Sequence, residues 1–96
     1  MREPRLTIRW GIHALERMTL HRIDLEEVRQ VVAEHERIED YPDDQPYPSA
    51  LLLGWPSGRP VHVVMAYFPG GVIRIVTAYR PNSERWDASY RQRRRQ

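Results

Sequence analysis

His62, Arg74, Tyr79 and Arg80 are the residues whose types suit chemistry on a phosphate. Cleaving RNA without a metal takes three services. A base accepts the 2′-hydroxyl proton, cations hold the phosphate charge, and an acid protonates the leaving oxygen. Imidazole suits the proton steps, because its ordinary pKa of about 6.5 lies near neutrality. Guanidinium suits the phosphate, since its planar fork of N–H donors meets two oxygens at once. Tyr79 suits proton donation or stacking against a base. A plainer reading stands beside this one. A histidine in an apolar strand is ordinarily hydrogen-bonded core, and the two arginines could be solvated or paired with acids of a helix.

The element that must position these residues is a hairpin. Val61–Phe68 and Val72–Tyr79 are β-branched, aromatic-rich runs around Pro69-Gly70-Gly71, a strong turn signal. A three-residue turn pairs Phe68 with Val72, His62 with Ala78 and Ala66 with Arg74. A two-residue turn would instead set His62 opposite Tyr79. The three-residue register sorts polar from apolar better and is preferred. It makes Val63, Met65, Ile73 and Ile75 a core face, and it places His62, Arg74 and Arg80 on the opposite, cationic face.

The elements before the hairpin supply the layer over that core. Leu6–Trp10 has the composition of a short edge strand. Ile12, Leu15 and Met18 recur at helical spacing, which predicts a helix over 12–21 with His13 and Arg17 on a shared face. Asp24 and Glu27 form a capping-box pattern before a second helix, about 25–35, with Leu25, Val28, Val31 and Val32 as its apolar stripe. A short strand at 38–41, a proline-rich loop and a strand over 49–55 follow. After the hairpin, Asn82 or Ser83 is a candidate cap for a helix over about 84–91, with Trp86 and Tyr90 on one face. Arg91 to Arg95 form a basic tail, either a grip on RNA phosphates or a solvated end. The expected fold is α+β: two N-terminal helices on a small antiparallel sheet of three to four strands, with a short C-terminal helix. The 96 residues suggest a single domain, 1–96.

Composition narrows the function. There is no cysteine, so thiolate metal sites and disulfides are excluded. None of the four histidines, His13, His21, His35 and His62, shares a tight ligand motif with another, so neither a metal nor another cofactor is expected. No apolar run is long enough to span a membrane, and no signal-peptide pattern opens the chain. A cytoplasmic protein is expected. Residues 1–50 carry seven arginines and eleven acids, whereas residues 51–96 carry eight arginines and two acids. Such a basic half either meets an anionic partner such as RNA or is neutralised by the acidic half within the fold.

A set of ordered motifs then carries a resemblance. His13-Ala14-Leu15-Glu16-Arg17-Met18 comes first, followed by Arg22-Ile23 and the acidic-capped helix. Tyr41-Pro42-Asp43-Asp44, Tyr47-Pro48-Ser49, Leu51-Leu52-Leu53-Gly54 and Arg59-Pro60-Val61-His62-Val63-Val64 come next. Thr77-Ala78-Tyr79-Arg80-Pro81, ahead of Arg85-Trp86, closes the set. From about residue 12 to 87 the chain resembles a small bacterial family classed as a domain of unknown function. More distantly it resembles the BrnT-type and RelE/ParE-type toxins. The resemblance implies a RelE-like fold, a toxin held off by a cognate antitoxin protein, and ribonuclease activity on RNA, ribosome-bound mRNA being one candidate. ParE-type toxins share that fold and act on gyrase instead. By motif it carries His13, Arg17, His62, Thr77, Tyr79 and Arg80 into the site. The assigned roles are His62 as acid or base, Tyr79 assisting, Arg74 and Arg80 on the phosphate, and Arg17, Arg80, Arg91 and Arg93 as RNA contacts. The rival is a binding module of the same fold without catalysis.

Overall fold

The computed structural model describes residues 7–95. Strand β1 (Thr7–Trp10) leads into helix α1 (Ile12–His21) and helix α2 (Leu25–Ala33). Four strands follow: β2 (Glu36–Tyr41), β3 (Ser49–Gly54), β4 (Val61–Phe68) and β5 (Val72–Tyr79). They form one sheet in the order β1-β5-β4-β3-β2. The pairs from β2 to β5 are antiparallel, as their short connections require. β1 runs parallel to β5, with Thr7 against Val72 and Trp10 against Ile75.

Two expectations are thereby corrected. The sheet has five strands and is mixed, not a three- to four-stranded antiparallel one. The missing strand is β1, whose four residues pair with a strand more than sixty positions away. Leu6, which the strand was expected to include, lies outside the described residues. The C-terminal helix is also absent: 84–91 is a series of turns. Here short polar side chains compete with the helix for backbone donors. Asn82 Oδ1 accepts the N–H groups of Glu84 and Arg85 at 3.1 and 2.9 Å. Asp87 Oδ1 accepts those of Ser89 and Arg91 at 3.1 and 3.2 Å. The chain therefore turns back on itself, and Trp86 pairs with Arg93.

The helices form where their sequence signals lie. Asp24 caps α2 by accepting the Glu27 N–H at 2.8 Å, and the Glu27 carboxylate accepts the Asp24 N–H at 3.3 Å. Ala14, Met18, Val28 and Val31 are buried against Ala50, Leu52, Val61, Val63, Met65, Ile73, Ile75 and Ala78, which makes the core under the helices. Gly54 lets α2 approach β3: a Cβ there would lie 2.7 Å from Val31 Cγ2. The opposite face of the sheet is not open. Leu51, Leu53 and His62 alternate with the core residues and are nonetheless buried. The turns after β5 cover His62, led by Trp86, whose ring meets it edge-on at 4.4 Å.

The hairpin register is the three-residue one near its tip and a different one near its base. Phe68 pairs with Val72, Ala66 with Arg74 and Met65 with Ile75. The pairing then shifts at Val76, and Val64 meets Thr77, Val63 meets Ala78 and His62 meets Tyr79. This β-bulge inserts one residue into β5 and exchanges its faces beyond that point. Ala78 turns into the core, Tyr79 joins the face of His62, and Arg80 turns toward the helices. The expectation of His62 and Arg80 on one open face is overturned for this reason.

Candidate functional site

The end of β5 lies beside the last turn of α1. Arg17 and His21 are four residues apart on α1 and so project to the same side. With Tyr79, Arg80, Asn82, Arg85, Trp86 and Arg93 they line a cavity of about 370 Å³. Its lining holds four arginines and a histidine and no carboxylate. Acids stand behind two of the arginines instead. Arg80 Nη2 lies 3.2 Å from Glu27 Oε2. Arg93 donates to Glu39 through Nε and Nη2 at 3.1 and 3.2 Å. Among the described residues Arg17 and Arg85 have no carboxylate partner. Arg17 sits over the Tyr79 ring, 5.3 Å from its centroid, a cation–π contact that orients both groups.

His21 Nδ1 accepts the Arg80 backbone N–H at 3.1 Å. In the neutral ring this leaves the proton on Nε2. Burial, followed by the positive charges of Arg17 and Arg80, holds the His21 pKa below the ordinary value. Arg80 is chiefly a structural tie. Its Nε and Nη2 also donate to the carbonyls of His21 and Arg22, at 3.2 and 3.3 Å. It therefore satisfies carbonyls at the C-terminus of α1 while pairing with α2.

His62 lies behind Tyr79 and has no solvent exposure. Its Nε2–H donates to the Tyr90 carbonyl at 2.9 Å, so Nδ1 carries the lone pair and accepts the Tyr79 O–H at 3.2 Å. Burial is the main force lowering the His62 pKa, opposed by the Tyr90 carbonyl and the Glu39 charge. Burial likewise raises the Tyr79 pKa. The pair is a buried imidazole hydrogen-bonded to a tyrosine hydroxyl, and of the two residues Tyr79 lines the cavity.

The remaining sequence candidates lie elsewhere. Arg74 is five residues back along β5, roughly 17 Å from Tyr79, beside Gly11 and Phe68. His13 is exposed, 3.9 Å from Glu16, and does not line the cavity. The Thr77 hydroxyl is buried without a hydrogen-bond partner among the described residues. Arg91 donates to Glu36 at 2.6 Å and lines a different cavity. Thus Arg17, Tyr79, Arg80 and Arg93 converge, with His62 behind them, and Arg74, His13, Thr77 and Arg91 do not. His21 and Arg85 join the cavity without having been candidates. The spacing of His21 from Arg17 was the available signal for the first, and the adjacency of Arg85 to Trp86 for the second. Among the described residues no three histidine, aspartate or glutamate side chains gather to hold a metal ion.

Fold and cavity together define a small α+β domain with a cationic site at one end of a mixed sheet. The model of the family "Domain of unknown function (DUF4258)" matches residues 10–80, and the chain belongs to that family. The matched span runs from Trp10 to Arg80 and stops short of Arg85, Trp86 and Arg93, which complete the cavity. No curated protein and no solved structure matches the chain.

Proposed function

We propose that this domain is the toxin of a bacterial toxin–antitoxin pair, a metal-independent endoribonuclease working at the cavity beside Tyr79. One observation carries the reading: a carboxylate-free cavity lined by Arg17, His21, Arg80, Arg85 and Arg93 around a tyrosine. Such a lining attracts a phosphodiester and holds charge that builds up on it. The 2′-oxygen attacks the adjacent phosphorus while the bond to the 5′-oxygen breaks, leaving a 2′,3′-cyclic phosphate and a free 5′-hydroxyl. The 2′-hydroxyl proton passes to the Tyr79 oxygen as Tyr79 hands its own proton to His62 Nδ1. Water gives a proton to the leaving oxygen, and the hydroxide so formed takes one from Tyr79 as His62 Nδ1 returns a proton to the tyrosine oxygen, which restores both residues. Arg17 and Arg85, without carboxylate partners among the described residues, carry most of the new charge. The cognate antitoxin is a protein partner, and Ile12, Leu15 and Leu20, exposed on the helix that also carries Arg17, give it an apolar surface.

A second reading, binding without cleavage, is favoured by the burial of His62 and by both of its ring nitrogens being engaged. Expression in bacteria separates the two. Under the nuclease reading growth stops, and Tyr79→Phe relieves the arrest while the protein stays folded. The purified protein then leaves cyclic-phosphate ends on RNA, with or without chelator. RNA that stays intact, with and without ribosomes, while binding weakens in Arg17→Ala would move the assignment to the binding module.

A further inference from the structure

A second cavity, about 450 Å³, lies where α2 meets the ends of β3 and β2. Its volume is ordinary for a small-molecule site, for which roughly 300–1,000 Å³ is typical. Its lining differs in kind from the arginine cavity: an aromatic face, acceptors and one cation. Trp55 is 46% exposed there although it is a large aromatic side chain. Tyr90 meets it edge-on at 5.9 Å and holds the ring in place. Some of the polar groups around it keep free donors or acceptors, although Glu36 in the same lining is paired with Arg91. No hydrogen bond engages the side chains of Gln30 and Glu34 among the described residues. His35 Nδ1–H donates to the carbonyls of Val31 and Val32, both at 3.0 Å, which leaves Nε2 as an acceptor in the neutral ring. Arg91 uses Nε on Glu36 and Nη1 on the Ser89 carbonyl, leaving Nη2.

We infer that this cavity is a nucleobase subsite that takes guanine, an assignment that rests on the RNA reading above. A flat ring stacks on Trp55, which is the sequence-tolerant part of single-strand recognition. Selection comes from the edges. Guanine presents two adjacent donors, N1–H and the exocyclic amine, to the Glu34 carboxylate and the His35 acceptor. It presents O6 to Nη2 of Arg91, the one guanidinium nitrogen not engaged within the protein, on the acceptor edge that arginine reads in guanine. Adenine offers an acceptor where guanine has N1–H, and so faces Glu34 lone pair to lone pair. Uracil and cytosine offer less stacking surface.

The two cavities lie at the same end of the sheet. Antiparallel pairing brings the end of β5, the start of β4, the end of β3 and the start of β2 there. β5 and β3 are separated only by β4, which sets the strands roughly 10 Å apart. On this assignment one strand of RNA places a phosphate among the arginines and a nearby base on Trp55.

Nucleosides test the subsite without a phosphate. The whole chain is titrated by calorimetry with guanosine, inosine, adenosine, cytidine and uridine. Saturable guanosine binding is expected, at least about tenfold tighter than for any other nucleoside, since one well-made base pairing of this kind is worth about that factor or more. Inosine, which lacks the exocyclic amine, falls between guanosine and adenosine. Trp55→Ala abolishes guanosine binding. Glu34→Gln, an exposed and conservative change, lowers it at least about tenfold and removes the preference over adenosine. Arg17→Ala retains it, so a failure of the arginine cavity to hold RNA would not be mistaken for failure here. Equal affinity for all nucleosides, no saturable binding, or guanosine binding unchanged in Glu34→Gln would each overturn the assignment.

Discussion

The Tyr79–His62 pair shows how one environment sets two residues' chemistry. Both hydrogen bonds of His62 stay inside the protein, so its imidazole meets outside groups only through the tyrosine hydroxyl. Removing that hydroxyl in Tyr79→Phe should lower RNA cleavage about 10²-fold or more, the usual worth of a positioned proton acceptor, and cost about 1–3 kcal/mol of stability because the buried His62 Nδ1 loses its partner. Replacing the ring in His62→Ala should cost stability, about 3 kcal/mol, through a buried cavity and the unsatisfied Tyr90 carbonyl. Chemical denaturation reads this directly. The depressed pKa values of His21 and His62 give stability a pH dependence of known sign. Above about pH 7.5 both rings are neutral whether the chain is folded or unfolded. As pH falls through the ordinary value of about 6.5, unfolded histidines take up protons that the folded ones refuse, and stability falls. Melting temperatures measured between pH 8 and pH 5.5 should drop, and His62→Gln should lessen the drop.

At the scale of elements, local signals were readable and long-range ones were not. The periods of α1 and α2, the capping box at Asp24 and the hairpin turn at Pro69 to Gly71 all depend on neighbours in sequence. Each formed where its residues stand. The parallel partner of β1 and the bulge at Val76 depend on residues far away, and no pattern of apolar residues marks either. Yet the bulge decides the site, because it sends Tyr79 to His62 and Arg80 to Glu27. Trp86 and Tyr90 have helical spacing, yet the segment that carries them forms turns. The side-chain bonds of Asn82 and Asp87 outweigh that preference. Two substitutions probe the helix docking. Gly54→Ala should destabilise by about 1–3 kcal/mol, since its Cβ would press on Val31 Cγ2 from 2.7 Å. Asp24→Ala should cost about 1 kcal/mol as a lost cap. Urea denaturation of both variants gives the comparison.

Across the whole molecule the uneven charge has a structural outlet. Arg91 pairs with Glu36 and Arg93 with Glu39, so the basic end of the chain straps onto the acidic strand β2. Part of the surplus in the second half is thus neutralised internally, as the plainer reading of the composition holds. Of the second half's arginines without a carboxylate partner among the described residues, Arg85 lines the cationic cavity, to which the first half contributes Arg17 and His21. The sequence could reveal the imbalance but not its focus, which arises only when α1 meets the end of β5. Under the proposed RNA reading, binding at such a cavity should depend steeply on salt. The most direct test of the cavity's role is the affinity for single-stranded RNA over a salt series, measured for the parent protein, Arg17→Ala, Arg85→Ala and the exposed α2 variant Arg29→Ala. The two cavity variants should bind more weakly, each flattening the plot of log affinity against log salt by about 0.7, while Arg29→Ala follows the parent. If all three variants share the parent's affinity and slope, the arginine cavity does not hold the RNA phosphate.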